Sequence, residues 1–135
     1  MNFLYANFVI YSFSQKQQFI IMSNNTTQAV ILKSPSSEEE IAIDFLRMKK
    51  AALILRAINH KLRLQIIKII QEHQKITVTE IYIKLRMEQS VVSQHLAILR
   101  RANVVITRRD GKFIYYMINY ARAKEIVGFV DTLLK

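Results

Sequence analysis

The stretch that decides the fold is residues 77–118, TVTEIYIKLRMEQSVVSQHLAILRRANVVITRRDGKFIYYMI. Up to Arg101, apolar residues recur every three or four positions, which is the spacing of an amphipathic helix. After Val104 the pattern changes to two runs of β-branched and aromatic residues on either side of Asp110-Gly111. Because Asp-Gly supplies the positive φ angles of a tight turn, these runs predict a β-hairpin.

The helical part of this stretch divides into two short helices. Thr77-Val-Thr-Glu80 is a capping-box sequence, so one helix is expected to begin there and to end near Met87. A second helix is expected from about Gln89. Its predicted buried side consists of Val92, His95, Leu96 and Leu99. Its predicted exposed side consists of Gln89, Ser90, Ser93, Gln94, Ala97, Arg100 and Arg101.

Three further helices are predicted outside this stretch. Residues 37–40 form another capping box, which predicts a first helix from Ser37 to about Ala57. A second helix is expected between its cap at Asn59 and about His73, and a last one over residues 121–134. The predicted fold class is therefore mainly α: five helices with a two-stranded β-hairpin wing, in the order of a winged helix-turn-helix.

Composition narrows the possible functions. The 135 residues have room for one ordinary domain, and 20 Lys plus Arg against 10 Asp plus Glu give a net charge of +10, which favours a polyanionic partner. The absence of Cys excludes disulfides, thiolate metal sites and Cys nucleophiles, and two Gly leave no Gly-rich phosphate loop. Paired catalytic carboxylates or a nucleophile with its base are not apparent, so an enzyme is not expected.

Residues 1–35 are interpreted as an N-terminal arm that is either disordered or not part of the native protein, because Met22 opens a polar stretch that suits a true start. Residues 36–135 are then the winged helix-turn-helix and dimerisation domain. Polar residues interrupt the early apolar stretch and Lys16 follows it, so no signal peptide or membrane anchor is expected. Membrane association through residues 1–21 stays open as an alternative.

The predicted partner is double-stranded DNA. In a winged helix-turn-helix the second helix of the pair enters the major groove, and short polar side chains there can bond to base edges or phosphates. Residues 84–112 contain seven basic and two acidic side chains, so basic residues flank this helix and the hairpin turn. The predicted DNA contacts are Gln89, Ser90, Ser93, Gln94, His95, Arg100, Arg101, Arg108, Arg109 and Lys112.

A homodimer is predicted from the first and last helices. Both carry apolar residues over more than one face, whereas a surface helix of a monomer shows one apolar stripe. The predicted interface residues are Phe45, Leu46, Leu53, Ile126, Phe129, Val130 and Leu133. His95 is expected to pack between the third and fourth helices, or to touch a phosphate, rather than to bind a metal.

Residues 50–134 resemble the ArsR/SmtB family of winged-helix repressors. Residues 59–67, NHKLRLQII, are similar to the entry of the family's second helix. Residues 89–99, QSVVSQHLAIL, are similar to its recognition helix, with Ser93, His95, Leu96 and Leu99 at the characteristic positions. Residues 108–116, RRDGKFIYY, match the wing and its paired aromatics.

The resemblance implies a homodimer formed by the first and last helices and a repressor that an inducer releases from its operator. The family's arsenic or cadmium site would place two Cys where this chain has Thr77 and Thr79, whose hydroxyls are poor ligands for soft metals. The family's other metal site uses Asp and His of the last helix, but residues 120–135 contain no His. No metal site and no cofactor are predicted, and the inducer is expected to be an unknown small molecule.

The sequence therefore predicts a cytoplasmic, sequence-specific DNA-binding regulator of the repressor kind. The alternative is a winged-helix module that binds RNA or an acidic protein through the same basic surface, without a regulatory role. Competition between duplex DNA and duplex RNA distinguishes a DNA-binding protein from an RNA-binding one, because the A-form major groove is too narrow for a helix.

Overall fold

The computed structural model of the protein describes residues 20–24 and 27–135. The chain divides between Met48 and Lys49 into two compact units. The assignment of residues 1–35 to an arm and 36–135 to one domain stays a prediction. Residues 1–19, which make up most of the segment considered for membrane association, lie outside the described residues. No helix in the described part is long and apolar enough to cross a bilayer.

The first unit contains a three-stranded antiparallel sheet. Its strands are β1 (Ile20–Asn24), β2 (Thr27–Lys33) and β3 (Glu40–Asp44), in the order β1-β2-β3. The pairing of β2 with β3 extends from Ala29 opposite Asp44 to Lys33 opposite Glu40. An ion pair of 2.7 Å between Lys33 Nζ and Glu40 Oε1 lies beside the connecting loop. Part of the predicted arm thus forms strands.

The first helix begins later than the sequence predicted. A helix start at Ser37 is wrong, because Ser37 lies in the turn before β3 and its Oγ accepts a hydrogen bond from the backbone N–H two residues on. Ile41 and Ile43 alternate with other residues along 40–44, as in a strand, and this segment pairs with β2 at the edge of the sheet. Helix α1 (Phe45–Ile58) follows β3 directly, and Asp44 caps it by accepting from the Arg47 N–H at 3.0 Å.

The second unit contains the rest of α1 and the elements of the winged helix-turn-helix. They are α2 (Lys61–His73), β4 (Ile76–Thr77), α3 (Val78–Leu85), α4 (Gln89–Arg101), β5 (Val105–Asp110), β6 (Phe113–Ile118) and α5 (Tyr120–Leu133). The predicted helices and hairpin strands are confirmed. The sheet order β4-β6-β5 adds a short third strand that the sequence analysis missed, in which Ile76 pairs with Tyr116.

The core of the second unit lies between α2, α3 and α4. Ile66 and Ile70 of α2, Ile81 of α3, and Leu96 and Leu99 of α4 have no exposed surface. Within each helix these residues are three or four positions apart, because that spacing brings them to one face. Tyr116 of β6 packs against this cluster. The helices thus support a hairpin that would be marginal alone.

Two local predictions differ from the structure by one residue. α2 is capped by His60 rather than Asn59, because Nδ1 of His60 accepts a hydrogen bond from a backbone N–H of the first turn at 3.2 Å. The hairpin turn consists of Gly111 and Lys112 rather than Asp110 and Gly111, since Asp110 is paired within the ladder. Gly111 has a φ of +57°, which a tight hairpin requires at its first turn residue.

Candidate nucleic-acid interface

Local hydrogen bonds fix the geometry of the α3–α4 helix-turn-helix. The predicted capping box is confirmed: the Thr77 N–H donates to Glu80 Oε2 at 2.8 Å, and the Glu80 N–H donates to Thr77 Oγ1 at 3.3 Å. Hydrogen bonds from Thr77 hold the pKa of Glu80 below its usual value. Arg86 adopts the left-handed conformation, with φ +53° and ψ +46°, and so ends α3. α4 then starts at Gln89 after a short turn.

α4 has one buried and one exposed side. Val92, Leu96 and Leu99 have no exposed surface, which confirms the predicted inward apolar residues. Four exposed residues form what is termed the polar edge of α4: Gln89, Ser90, Ser93 and Gln94. Arg100 and Arg101 are exposed at the carboxyl end, whereas Ala97 is half-buried. The polar edge is therefore accessible to a partner and ends beside two cations.

The contacts of His95 are with α2, whereas the sequence analysis expected it at the α3–α4 contact. It is half-buried against the amino end of α2, where its Nδ1 lies 3.4 Å from Nη1 of Arg63. Its ring centroid is 4.8 Å from that of His60. The inward direction was evident from helical spacing, but the partner was not, because it is 32 residues away in the chain. A contact between His95 and a phosphate stays a prediction.

The wing carries its cations around the hairpin turn. Arg108, Arg109 and Lys112 are all exposed. Nε of Arg109 donates to the Gly111 carbonyl at 3.1 Å, which holds this guanidinium beside the turn. Because Arg108 and Arg109 are successive residues of β5, their side chains leave opposite faces of the ribbon. The wing thus presents positive charge in more than one direction.

Lys75, which the sequence analysis missed, connects the wing to the end of α2. Its Nζ lies 2.9 Å from Oδ2 of Asp110 and 4.1 Å from the ring centroid of Tyr115. The hydrogen bond and charge of Lys75 hold the pKa of Asp110 below its usual value. Asp110 is one of the two acidic residues in the basic segment 84–112. The positive charge of Lys75 offsets the negative charge of Asp110 at the wing.

Six of the seven predicted dimer-interface residues leave apolar surface uncovered. Phe45, Leu46, Leu53, Phe129 and Leu133 are exposed, and Val130 is half-buried. Ile126 is only 6% exposed and lies in the core of the second unit, because it is on the inward side of α5. The assignment of Ile126 to a dimer interface is therefore corrected, and that of the other six residues stays a prediction.

A metal-binding cluster is not found in the described part of the chain, where no three His, Asp or Glu side chains lie close enough together to hold an ion. The polar and cationic side chains described above are hydrogen-bonding and phosphate-binding groups. A short helix pair followed by a cationic β-hairpin, with the polar edge of the second helix exposed, defines a winged helix-turn-helix DNA-binding protein.

Comparison with known proteins agrees with this class. The sequence profile of the family described as "Bacterial regulatory protein, arsR family" matches residues 60–107. An HTH-type transcriptional regulator of Methanocaldococcus jannaschii is 37% identical over 87 residues, which are 64% of this chain and 98% of that protein. The chain belongs to the arsR family of bacterial regulatory proteins and is a DNA-binding transcriptional regulator.

Two further relatives have solved structures. The transcriptional repressor PagR of Bacillus anthracis is 32% identical over 67% of this chain and 91% of PagR. Its crystal structure matches with a TM-score of 0.51 over 66% of this chain and 98% of that chain. The transcriptional activator HlyU of Vibrio cholerae is 32% identical over 62% of this chain and 77% of HlyU. Reduced HlyU matches with a TM-score of 0.51 over 65% and 92% of the two chains. These structures confirm the fold.

Proposed function

We propose that the protein is a homodimeric repressor that reads DNA sequence with the polar edge of α4. The observation that carries this proposal is the exposure of that edge together with two groups of exposed cations that follow it in the chain. These groups are Arg100 with Arg101, and Arg108 with Arg109 and Lys112. Short polar side chains can bond to base edges in the major groove, whereas Arg and Lys neutralise phosphates and set the position of the protein on the duplex.

A dimer is proposed because α1 and α5 carry large apolar side chains that their own unit does not cover. Leu53 is 55% exposed, Phe129 47% and Leu133 62%. Removing this apolar surface from water would favour association of two copies. In a two-fold symmetric dimer the two copies of α4 would address half-sites about one helical turn, or about 34 Å, apart.

The repressor role is proposed from the similarity to PagR, which covers more of its relative than the similarity to the activator HlyU does. We propose that a small molecule, rather than a metal held by Cys or His, releases the repressor from its operator when it binds. Thr77 and Thr79 are poor ligands for soft metals, and the chain has no Cys. The protein would act on DNA in the cytoplasm, without a cofactor and without catalysing a reaction.

Duplex DNA is expected to bind, and duplex RNA of the same length to compete weakly, because a helix cannot enter the A-form major groove. If about four phosphates per subunit are neutralised, log Kd should rise with log salt concentration with a slope of about 7. Fluorescence anisotropy with a labelled duplex measures both. Equal competition by duplex RNA would favour the RNA-binding alternative, and affinity independent of salt would contradict the cationic interface.

The Leu53→Glu variant is expected to be monomeric under conditions in which the wild-type protein is dimeric. A glutamate placed in the proposed interface would have to lose its hydration without an ionic partner. Leu64→Glu is the matched control, because Leu64 of α2 is 54% exposed and lies outside the proposed interface. Light scattering after size-exclusion chromatography gives the mass of each variant. A monomeric wild type, or two equally affected variants, would count against this interface.

A further inference from the structure

Arg63 connects three helices at the base of the DNA-binding helix. It is only 7% exposed, and its Nη2 donates to the Arg56 carbonyl at 2.7 Å while its Nε donates to the Ala57 carbonyl. Both carbonyls belong to the last turn of α1, where a cation is favoured by the helix dipole. The third contact is with an imidazole rather than a carboxylate, since Nη1 lies 3.4 Å from Nδ1 of His95 in α4.

Two hydrogen bonds in this cluster each use a neutral histidine as the acceptor. A guanidinium can only donate, so Nδ1 of His95 must accept and its ring proton is assigned to Nε2. Nδ1 of His60 also accepts, from the Leu62 N–H at 3.2 Å, and so caps α2. Protonation of either ring would turn its Nδ1 into a donor that faces another donor. The contact between α4 and α2 is therefore compatible with neutral imidazoles only.

Positive charge is already concentrated at this place. The titratable and charged groups that act on His95 are His60 and Arg63, both from the amino end of α2. Burial lowers the pKa of His95 below its usual value, and His60 and Arg63 lower it further. From α1 the cluster receives backbone carbonyls, and Lys61 adds a neighbouring cation on α2.

We propose that His60, Arg63 and His95 form a proton-sensitive joint that holds α4 in its DNA-binding orientation and weakens sequence-specific binding on acidification. The proposal rests on the proposed function of α4. Added protons raise the charge of the protein and so favour non-specific attraction to DNA. Loss of the joint would misplace the polar edge of α4, which weakens specific binding alone. The ratio of specific to non-specific affinity should therefore decrease as the pH is lowered.

The test uses a duplex that the wild-type chain selects from a random-sequence pool at about pH 7.5, and a scrambled duplex of equal length. Lowering the pH to about 5.5, at constant ionic strength, crosses the range in which imidazoles titrate. The ratio of the two affinities is expected to fall severalfold, but by less than the factor of about 10 for an imidazole of ordinary pKa, because the pKa of His95 is lowered. An unchanged ratio in the wild type would overturn the joint.

Three histidine variants show whether the response comes from this cluster. His60→Asn keeps a capping acceptor that does not titrate, and His95→Gln keeps an oxygen that can accept from Arg63. His73→Asn is the matched control, because His73 is exposed at the other end of α2 and bonds only to the carbonyl of its own helix at position 69. The control should lose specificity in acid as the wild type does, whereas His60→Asn and His95→Gln should each lose less, because only one of the two rings remains in each variant. The same pH response in all variants would overturn the joint.

Failure of the joint and failure of the proposed function give different results. If no duplex is selected at about pH 7.5, the proposed DNA contacts of α4 are contradicted. NMR of the full chain then tests the proton sensitivity of the joint without DNA. Amide resonances around His95 should shift between about pH 7.5 and 5.5. A shift that His60→Asn reduces and His73→Asn leaves unchanged would support the joint. No shift, or a shift equal in all variants, would overturn it.

Discussion

Replacing Leu96 with alanine is expected to lower the free energy of unfolding by about 2–5 kcal/mol. Leu96 has no exposed surface and packs in the core between α2, α3 and α4. The substitution removes buried carbon atoms and leaves a cavity, because close-packed neighbours relax only in part. Domains of this kind are stable by about 5–15 kcal/mol, so a large share of the total would be lost.

Urea unfolding at a fixed protein concentration measures this loss, because association with a second copy would otherwise shift the midpoint. Leu64→Ala is the matched control. Leu64 is 54% exposed on α2, and truncation of a surface side chain usually changes stability by less than about 0.5 kcal/mol. Equal effects of the two leucine substitutions would mean that α4 does not pack through Leu96.

Replacing both wing arginines by glutamine, Arg108→Gln with Arg109→Gln, is expected to weaken binding to every duplex. In a dimer the change would remove about four phosphate contacts, which lowers affinity on the order of a hundredfold near physiological salt and the salt slope by about 3–4. Both side chains are exposed, so the fold should be unaffected. The loss should be similar for specific and scrambled sequences, because phosphate contacts carry no sequence information.

A matched control replaces two exposed lysines away from the wing, Lys68 of α2 and Lys124 of α5, by glutamine. It removes the same charge and should change affinity and salt slope far less, since screening weakens the effect of distant charges. Titrations at several salt concentrations give both quantities. An equal effect of the two double variants would show that net charge, not the position of the wing, determines binding.

Two capping-box sequences show what local sequence could and could not predict. The box at Thr77 and Glu80 forms as expected and starts α3. The box at Ser37 and Glu40 has the same pattern, but Glu40 is in a strand that pairs with Lys33 of β2. That pairing is not local, and the sequence analysis treated β2 as part of an arm. Short-range patterns were therefore sufficient only where no strand competed for the backbone.

The contacts that refine the candidate site are also not local. Helical spacing identified the buried and exposed sides of α4, and the hairpin pattern identified the wing. The pair of Lys75 with Asp110 joins residues 35 positions apart, and that of Arg63 with His95 residues 32 apart. Ile126 was assigned to a dimer interface because the apolar arc of α5 is wide, and only the packed structure shows which part of that arc is inward.

Selection from a random-sequence duplex pool tests the central claim most directly. The wild-type protein should recover two half-sites related by symmetry, about one helical turn apart. Gln94→Ala should recover a motif altered at one position in each half-site, whereas the double wing variant should recover the wild-type motif at lower affinity. An unaltered motif for Gln94→Ala together with an altered one for the wing variant would contradict the placement of α4 in the major groove.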